Sequence, residues 1–204
     1  KETNTKVLSK DNRAQGSCPL LNGSPLKEKY PNGHDECKEY FGGCKKSTEH
    51  AGQLKLLLEE IYFFLEILRM LKEKRCSLEN IVIIYAGAAS FRHGNLLMSK
   101  LFRNFEWVLV DPAKFDPDVV EFAKLNPNKV TIINGLFTDE LARKLKYQYR
   151  EKIIAFISDI RIKPFEKDIE EDMRMQRKWV GIIDPFLSML KFRLSWTKKI
   201  QNYP

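Results

Sequence analysis

The chain has 204 residues, 43% of them hydrophobic and 30% charged, which suits one globular domain with an additional arm and excludes a largely disordered chain. The 35 Lys and Arg residues outnumber the 27 Asp and Glu residues and give a formal net charge of +8, which favours polyanionic partners, nucleic acid first. A membrane span is excluded, because charged residues interrupt the most apolar stretch, Leu54–Leu71, before it reaches the roughly 18 residues that a span needs.

Residues 1–49 form a predicted loop-rich arm, since Asn, Gly, Ser, Pro and Lys recur there with little hydrophobic periodicity. The chain opens at Lys1 with neither an initiator Met nor a charged and then apolar leader. We therefore expect neither a secretory signal nor the natural start of the protein here. The folded domain is predicted to cover residues 50–204.

The cysteines indicate reduced thiols inside a cell, because Cys18, Cys37, Cys44 and Cys76 share no CxxC spacing. A zinc site of Cys37, Cys44 and His50 can be imagined, but the spacing fits no common ligand pattern. We therefore predict no metal.

A long amphipathic helix is predicted from Gly52 to about Glu73. Leucine and isoleucine recur there at steps of three and four residues, which marks one face of a helix. The predicted apolar face comprises Leu54, Leu57, Leu58, Ile61, Leu65, Leu68 and Leu71.

Short β-branched runs follow and predict buried parallel strands at Asn80–Gly87, Glu106–Asp111, Lys129–Gly135 and Lys152–Asp159. Helix-length segments separate them at 93–103, 116–125 and 138–149. This alternation specifies an α/β fold with a doubly wound, mostly parallel sheet and right-handed crossovers. A further helix should end before Pro185; its periodic positions are Ile169, Met173, Gln176, Val180 and Ile183. A last strand is predicted at Phe186–Arg193.

Polar and small residues end the predicted strands, and in an open parallel sheet ligands collect at those ends. Gly87 opens a small-residue turn before a helix, which allows close backbone approach to a ligand. Asp111 follows Gly87 by about 24 residues, near the roughly 20-residue spacing at which a carboxylate can bind ribose hydroxyls. Asp159 ends the fourth strand. The pattern predicts a site for a nucleoside-containing cofactor.

The pattern does not favour a nicotinamide cofactor, because the GxGxxG fingerprint is absent and only Gly87 and Gly94 are present, with Phe91 between them. A simpler interpretation of Gly87 and Asp111 is a tight turn and a helix cap. Their joint position at adjacent strand ends favours a site.

Six segments resemble, in order and spacing, the poxvirus cap-specific mRNA 2′-O-methyltransferase family, whose polypeptide also serves as a subunit of the poly(A) polymerase. They are GQLKLLLEEIYFF (Gly52–Phe64), YAGAASFRHGNLL (Tyr85–Leu97), VLVDPAKFDP (Val108–Pro117), KVTIINGLFTDE (Lys129–Glu140), ISDIRIK (Ile157–Lys163) and LKFRLSW (Leu190–Trp196). The resemblance implies a Rossmann-like methyltransferase that uses S-adenosylmethionine. It also implies capped mRNA as substrate. The location that it implies is intracellular and cytoplasmic, and the alternative location is the virion or the viral factory.

The resemblance implies roles for individual residues. Carried over by position, the cofactor pocket comprises Gln53, Tyr85, Gly87, Asp111, Phe137 and Asp159. The catalytic set comprises Lys55, Asp159 and Lys191. A ribose hydroxyl needs a base, and a lysine serves as one when burial or a neighbouring cation disfavours its charged form. We assign the base to Lys191, the neighbouring charge to Lys55 and the orienting carboxylate to Asp159.

Basic residues beside this site predict RNA binding. Arg161, Lys163 and Arg193 would follow phosphates with little sequence preference. Trp196 aligns with an aromatic residue that stacks on the cap guanine in the family. Partly buried packing is the alternative for this tryptophan.

The chain departs from the family pattern at several positions. Ser90 and Phe91 replace a proline and a glycine after the first strand, and Ala113 replaces an arginine. No acidic residue follows Asp184, so the glutamate that completes the family's catalytic set has no counterpart here. Two alternatives stay open: a silent methyltransferase fold that binds RNA and docks on a polymerase, and a nucleotide-cofactor enzyme acting on small molecules.

Overall fold

The computed structural model describes residues 45–74, 80–161 and 166–193, with side chains at 52–74, 80–161 and 168–193. The chain divides into two compact units, Lys1–Glu60 and Ile61–Pro204. The second unit contains the strands β1 (Ile81–Ala86), β2 (Glu106–Asp111), β3 (Val130–Asn134), β4 (Ile153–Ser158) and β5 (Leu187–Leu190). They form one sheet in the order β3-β2-β1-β4-β5, and every pairing is parallel.

One helix, α1 (Lys45–Glu73), precedes the sheet. The helices between strands are α2 (Gly94–Leu96), α3 (Pro117–Leu125), α4 (Asp139–Gln148) and α5 (Glu166–Ile183), and a π-helical turn, Leu97–Leu101, follows α2 directly. The predicted α/β fold with a doubly wound parallel sheet is confirmed. The sheet order reverses at β1, with β2 and β3 on one side and β4 and β5 on the other. A ligand crevice in such a sheet lies at this reversal, outside the carboxyl ends of the strands.

Side-chain caps begin two of the helices. Asp116 accepts a hydrogen bond from the backbone N–H of Asp118 at 3.1 Å, with Pro117 in the first turn of α3. Thr138 accepts one from the N–H of Leu141 at 3.2 Å and caps α4. These bonds satisfy backbone donors that have no partner within a helix. The helices predicted at 116–125 and 138–149 are therefore confirmed.

The two faces of the sheet bury different clusters. One cluster is aromatic: the Trp107 ring lies 5.3 Å from Phe64 of α1 and 6.0 Å from Phe91, which in turn lies 5.5 Å from Tyr85. The other cluster contains β-branched residues of β1, β2 and β4 together with Phe137 and Trp179. Burial on both faces explains why the central strands are continuously apolar.

The predicted apolar face of α1 was wrong in part: Leu71 is buried and Ile61 and Leu68 are partly buried, but other predicted residues are exposed. Leu54, Leu58 and Leu65 are each more than half exposed, whereas the side chains of Phe64 and Ile67 are fully buried. Aromatic rings bury more apolar area than leucines, and Phe64 packs against the rings of the sheet. The helix also begins before the predicted Gly52, at Lys45.

Two further predictions differ from the structure in length. The helix expected at 93–103 is only α2 with its π-helical turn, and Phe102 leaves the helical conformation. The last strand ends at Leu190, not at Arg193, so Lys191 lies just beyond β5. Within the part of the chain described, no helix combines the length and the apolar character that crossing a bilayer requires.

Gly94 should be intolerant of any side chain. A Cβ atom there would lie 2.3 Å from Cδ1 of Phe91, whose ring is buried in the aromatic cluster. We expect Gly94→Ala to lower the free energy of unfolding by about 1–3 kcal/mol, because overpacking forces the buried ring to move. Urea denaturation monitored by circular dichroism measures this change.

Gly181 of α5 provides the matched control, because a Cβ atom there would meet nothing within 4 Å. Gly181→Ala should raise the free energy of unfolding by about 0.5–1 kcal/mol through helix propensity. Equal effects of the two substitutions would contradict the packing described for Phe91.

Candidate functional site

The turn after β1 brings the ends of three strands into contact. Gly87 has a φ of +75°, and a Cβ atom there would lie 2.9 Å from Cγ1 of Ile160. Its N–H donates to the carbonyl oxygen of Val110 at 2.9 Å, while the N–H of Asp159 donates to the carbonyl oxygen of Ala86 at 3.0 Å. Only glycine combines this conformation with this close approach. The turn thus joins the carboxyl ends of β1, β2 and β4.

The Asp111 carboxylate is held by the backbone on both of its oxygens. Oδ2 accepts a hydrogen bond from the N–H of Ala89 at 3.0 Å, and Oδ1 accepts one from the N–H of Ala113 at 2.7 Å. A carboxylate has about four lone-pair sites, so these two bonds leave acceptor capacity on both oxygens. Asp111 is not a helix cap here: it fixes two loops and can still accept the hydroxyl groups of a ligand.

Asp159 and Lys191 form an ion pair at the same edge of the sheet. Lys191 Nζ lies 2.6 Å from Asp159 Oδ1, and about a third of each side chain is exposed. The backbone brings the two residues together, because Ser158 is the register partner of Leu190 and the N–H of Lys191 donates to the Ser158 carbonyl oxygen at 2.8 Å. Asp159 directly follows Ser158, and Lys191 directly follows Leu190. Two of the three predicted catalytic residues therefore meet.

Gln176 of α5 was not predicted to be a site residue. Its side chain is fully buried and hydrogen-bonds to the backbone of Lys191. The only signal in the sequence was a polar residue at a position of the apolar stripe of the helix. Buried polar side chains generally have partners, so such a position predicts a hydrogen bond but not its location.

Two predicted cofactor residues place their rings in the core. Tyr85 is 1% exposed and contacts the Phe91 ring, and Phe137 is 6% exposed with its ring 4.9 Å from that of Trp179. The Phe91 ring is 3% exposed. The cofactor contacts of Tyr85 and Phe137 stay predictions.

The predicted RNA contacts also stay predictions. The guanidinium of Arg161 lies 3.9 Å from the carboxylate of Asp172, a buried residue of α5, and only 20% of the arginine side chain is exposed. Arg193 is partly buried. Lys163 and Trp196 lie outside the described residues.

Gln53 and Lys55 belong to the unit Lys1–Glu60. Lys55 is highly exposed, and its ammonium lies 3.5 Å from Glu59 one helical turn away. The predicted convergence of Lys55 with Asp159 and Lys191 stays a prediction.

No metal centre is evident in the described ranges, where no three His, Cys, Asp or Glu side chains are grouped so that they could hold an ion. The imagined zinc site lies outside the described residues, because Cys37, Cys44 and the His50 side chain are not among them.

Comparison with known proteins identifies relatives over most of the chain. Residues 32–203 match the family model described as Poly A polymerase regulatory subunit. The cap-specific mRNA (nucleoside-2'-O-)-methyltransferase of Fowlpox virus (strain NVSL) is 33% identical over 169 residues, which are 79% of this chain and 52% of that protein. The protein of the same name from Myxoma virus (strain Lausanne) is 28% identical over 156 residues, which are 72% of this chain and 43% of that protein. The chain thus spans about half the length of the curated relatives it matches.

Asp111→Ala should loosen both loops that the carboxylate holds. Two backbone donors lose their acceptor, and we expect the free energy of unfolding to fall by about 1–3 kcal/mol. Hydrogen exchange should accelerate at the amides of Ala89 and Ala113. Asp111→Asn keeps one oxygen acceptor and should have a smaller effect. Unchanged exchange at both amides in Asp111→Ala would contradict the bonding described.

Proposed function

Because the chain belongs to the poly A polymerase regulatory subunit family, we propose that it is the core of an RNA 2′-O-ribose methyltransferase that uses S-adenosylmethionine at or near the mRNA cap. The relatives from Fowlpox and Myxoma viruses are named as cap-specific methyltransferases of this kind. The observation that carries the proposal is the ion pair of Asp159 and Lys191 after β4 and β5, at the same edge of the sheet as Asp111 at the end of β2.

The residues at the edge of the sheet fit a nucleoside cofactor. Asp111 has acceptor capacity for the two ribose hydroxyls, and its carboxylate is fixed in advance by two N–H groups. Gly87 and Asp159 would lie beside the methionine moiety. The Phe91 ring packs against Tyr85 and Trp107 in the core. Bound S-adenosylmethionine supplies an electrophilic methyl group.

The residues of the chain then prepare the hydroxyl that receives this methyl group. Lys191 accepts the proton of the ribose 2′-hydroxyl, and Asp159 fixes the position of the lysine amine. Lys55 is the third residue proposed for the catalytic set. Positioning of the hydroxyl in line with the methyl group is the main remaining requirement.

The proposed substrate is capped mRNA, and the proposed partner is a poly(A) polymerase subunit. The net charge of +8 favours a polyanion, and the segment from Phe186 onward contains basic residues and no acidic one. Arg161, Lys163 and Arg193 would contact phosphates, and Trp196 would stack on the cap base.

The proposed domain layout keeps residues 1–49 as an arm and 50–204 as the methyltransferase domain. The proposed place of action is the cytoplasm, where viral mRNA would be modified.

Lys191→Ala should abolish methyl transfer to capped RNA and leave cofactor affinity near the wild-type value. Loss of a general base lowers turnover by about 100- to 10,000-fold. Asp111→Ala should instead weaken S-adenosylmethionine binding by about tenfold or more, because hydrogen bonds to the ribose are lost. Calorimetric titration measures binding, and transfer of a labelled methyl group measures turnover.

Lys178→Ala is the matched control, because Lys178 pairs with Asp139 of α4 and has no role in the proposed chemistry. Its turnover and cofactor affinity should equal those of the wild type. Unchanged turnover in Lys191→Ala would refute the assigned base, and absence of cofactor binding at millimolar concentration in the wild type would refute the proposed chemistry.

RNA affinity should fall steeply with salt if the basic residues follow phosphates. We expect Arg193→Ala to reduce the slope of log affinity against log salt concentration by about one. Arg143→Ala is the comparison, since Arg143 is exposed on α4 and lies 3.8 Å from Glu140; it should leave the slope unchanged. Fluorescence anisotropy with a short single-stranded RNA measures both. An affinity independent of salt would count against the phosphate contacts.

A further inference from the structure

Gln176 holds both backbone polar groups of a single residue, Lys191. Its Oε1 accepts a hydrogen bond from the Lys191 N–H at 3.0 Å, and its Nε2 donates to the Lys191 carbonyl oxygen at 3.2 Å. The same Nε2 also donates to the carbonyl oxygen of Asp172, one turn earlier in α5, at 3.2 Å. The bond within the helix fixes the plane of the carboxamide, so its two bonds to Lys191 have a defined direction.

These bonds lie just beyond the end of β5, where the hydrogen-bonded pairing with β4 ends. β5 ends at Leu190, and in the part of the chain described the bond from the Lys191 N–H to the Ser158 carbonyl oxygen is the last backbone bond between β4 and the chain after β5. The Lys191 N–H is shared between Ser158 and Gln176 Oε1, and the Lys191 carbonyl oxygen accepts from Gln176 Nε2. Because Gln176 is fully buried, water does not compete for its hydrogen bonds.

The position of the Lys191 backbone determines where its amine lies. Lys191 Nζ lies 2.6 Å from Asp159 Oδ1, although a lysine side chain has four rotatable bonds and about a third of this one is exposed. A fixed backbone at the root of the side chain limits the positions that the amine can reach.

We propose that Gln176 is a positioning residue for Lys191: its carboxamide anchors the backbone just beyond β5 and so directs the lysine amine to Asp159. The role of Lys191 as a base rests on the proposed function; the anchoring rests on the hydrogen bonds alone. A purely structural glutamine would stabilise α5 against the sheet without affecting the amine of Lys191.

The test measures the chemical reactivity of Lys191 directly. Trace acetylation of the whole chain, followed by mass spectrometry, gives the labelling of Lys191 relative to Lys178, which serves as the internal reference. An amine held against a carboxylate is less accessible to the reagent than an amine that moves freely in solvent, so it is labelled more slowly. Gln176→Met keeps the side-chain length and removes both bonds to Lys191. We expect the labelling ratio to rise about fivefold, the factor that corresponds to one typical hydrogen bond.

Met173→Leu is the matched control. Met173 is equally buried in the same helix, and its side chain has no hydrogen-bonding group comparable to a carboxamide. The substitution should leave the labelling ratio unchanged, whatever stability it costs. If Gln176→Met does not fold, Gln176→Glu decides the question with the same ratio: it keeps the acceptor for the Lys191 N–H and loses the donor, so a smaller rise is expected.

A labelling ratio that stays at the wild-type value in a folded Gln176 variant overturns the proposal, irrespective of activity. A raised ratio supports the anchoring, and methyl transfer then tests the proposed function separately. If Lys191 is the base, kcat of Gln176→Met should fall about tenfold with KM for capped RNA unchanged. A raised ratio with unchanged kcat would refute the role of Lys191 in catalysis and leave the anchoring intact.

Discussion

The ion pair between Asp159 and Lys191 depends on the register of two parallel strands. Ser158 of β4 is the register partner of Leu190 of β5. The carboxylate and the amine belong to the residues that directly follow these two, Asp159 and Lys191. A shift of one residue would turn alternate side chains to the opposite face and separate the pair. The proposed chemistry therefore depends directly on the hydrogen bonds of the sheet, and on the buried glutamine that extends them by one residue.

The rest of the site, Gly87 and Asp111, lies where the strand order reverses at β1. Gly87 lets the chain after β4 approach the chain after β1, and Asp111 links the turn after β1 to the loop after β2. These contacts use backbone groups and one carboxylate of the protein itself. A site held by such contacts loses little conformational freedom on binding, which favours affinity.

The aromatic residues near the site serve the core as well. Tyr85 and Phe91 pack with Trp107 on one face of the sheet, and Phe137 packs with Trp179 on the other. The phenylalanine that replaces a family glycine thus contributes to packing beneath the turn, and Gly94 provides the space for its ring. The departure at Phe91 is accommodated inside the protein.

Local patterns in the sequence were sufficient to predict the strands, most helices and the parallel direction of the strands, because β-branched runs, apolar periodicity and the stop before Pro185 act over a few residues. They also indicated that Gly87, Asp111 and Asp159 share one edge. The folded structure was needed to learn that Phe64, not Leu65, faces the core, that Gln176 bonds to Lys191 and that Arg161 lies beside Asp172. Periodicity reports which face of a segment is apolar, whereas the partner of a buried polar atom depends on register and packing between segments distant in the chain.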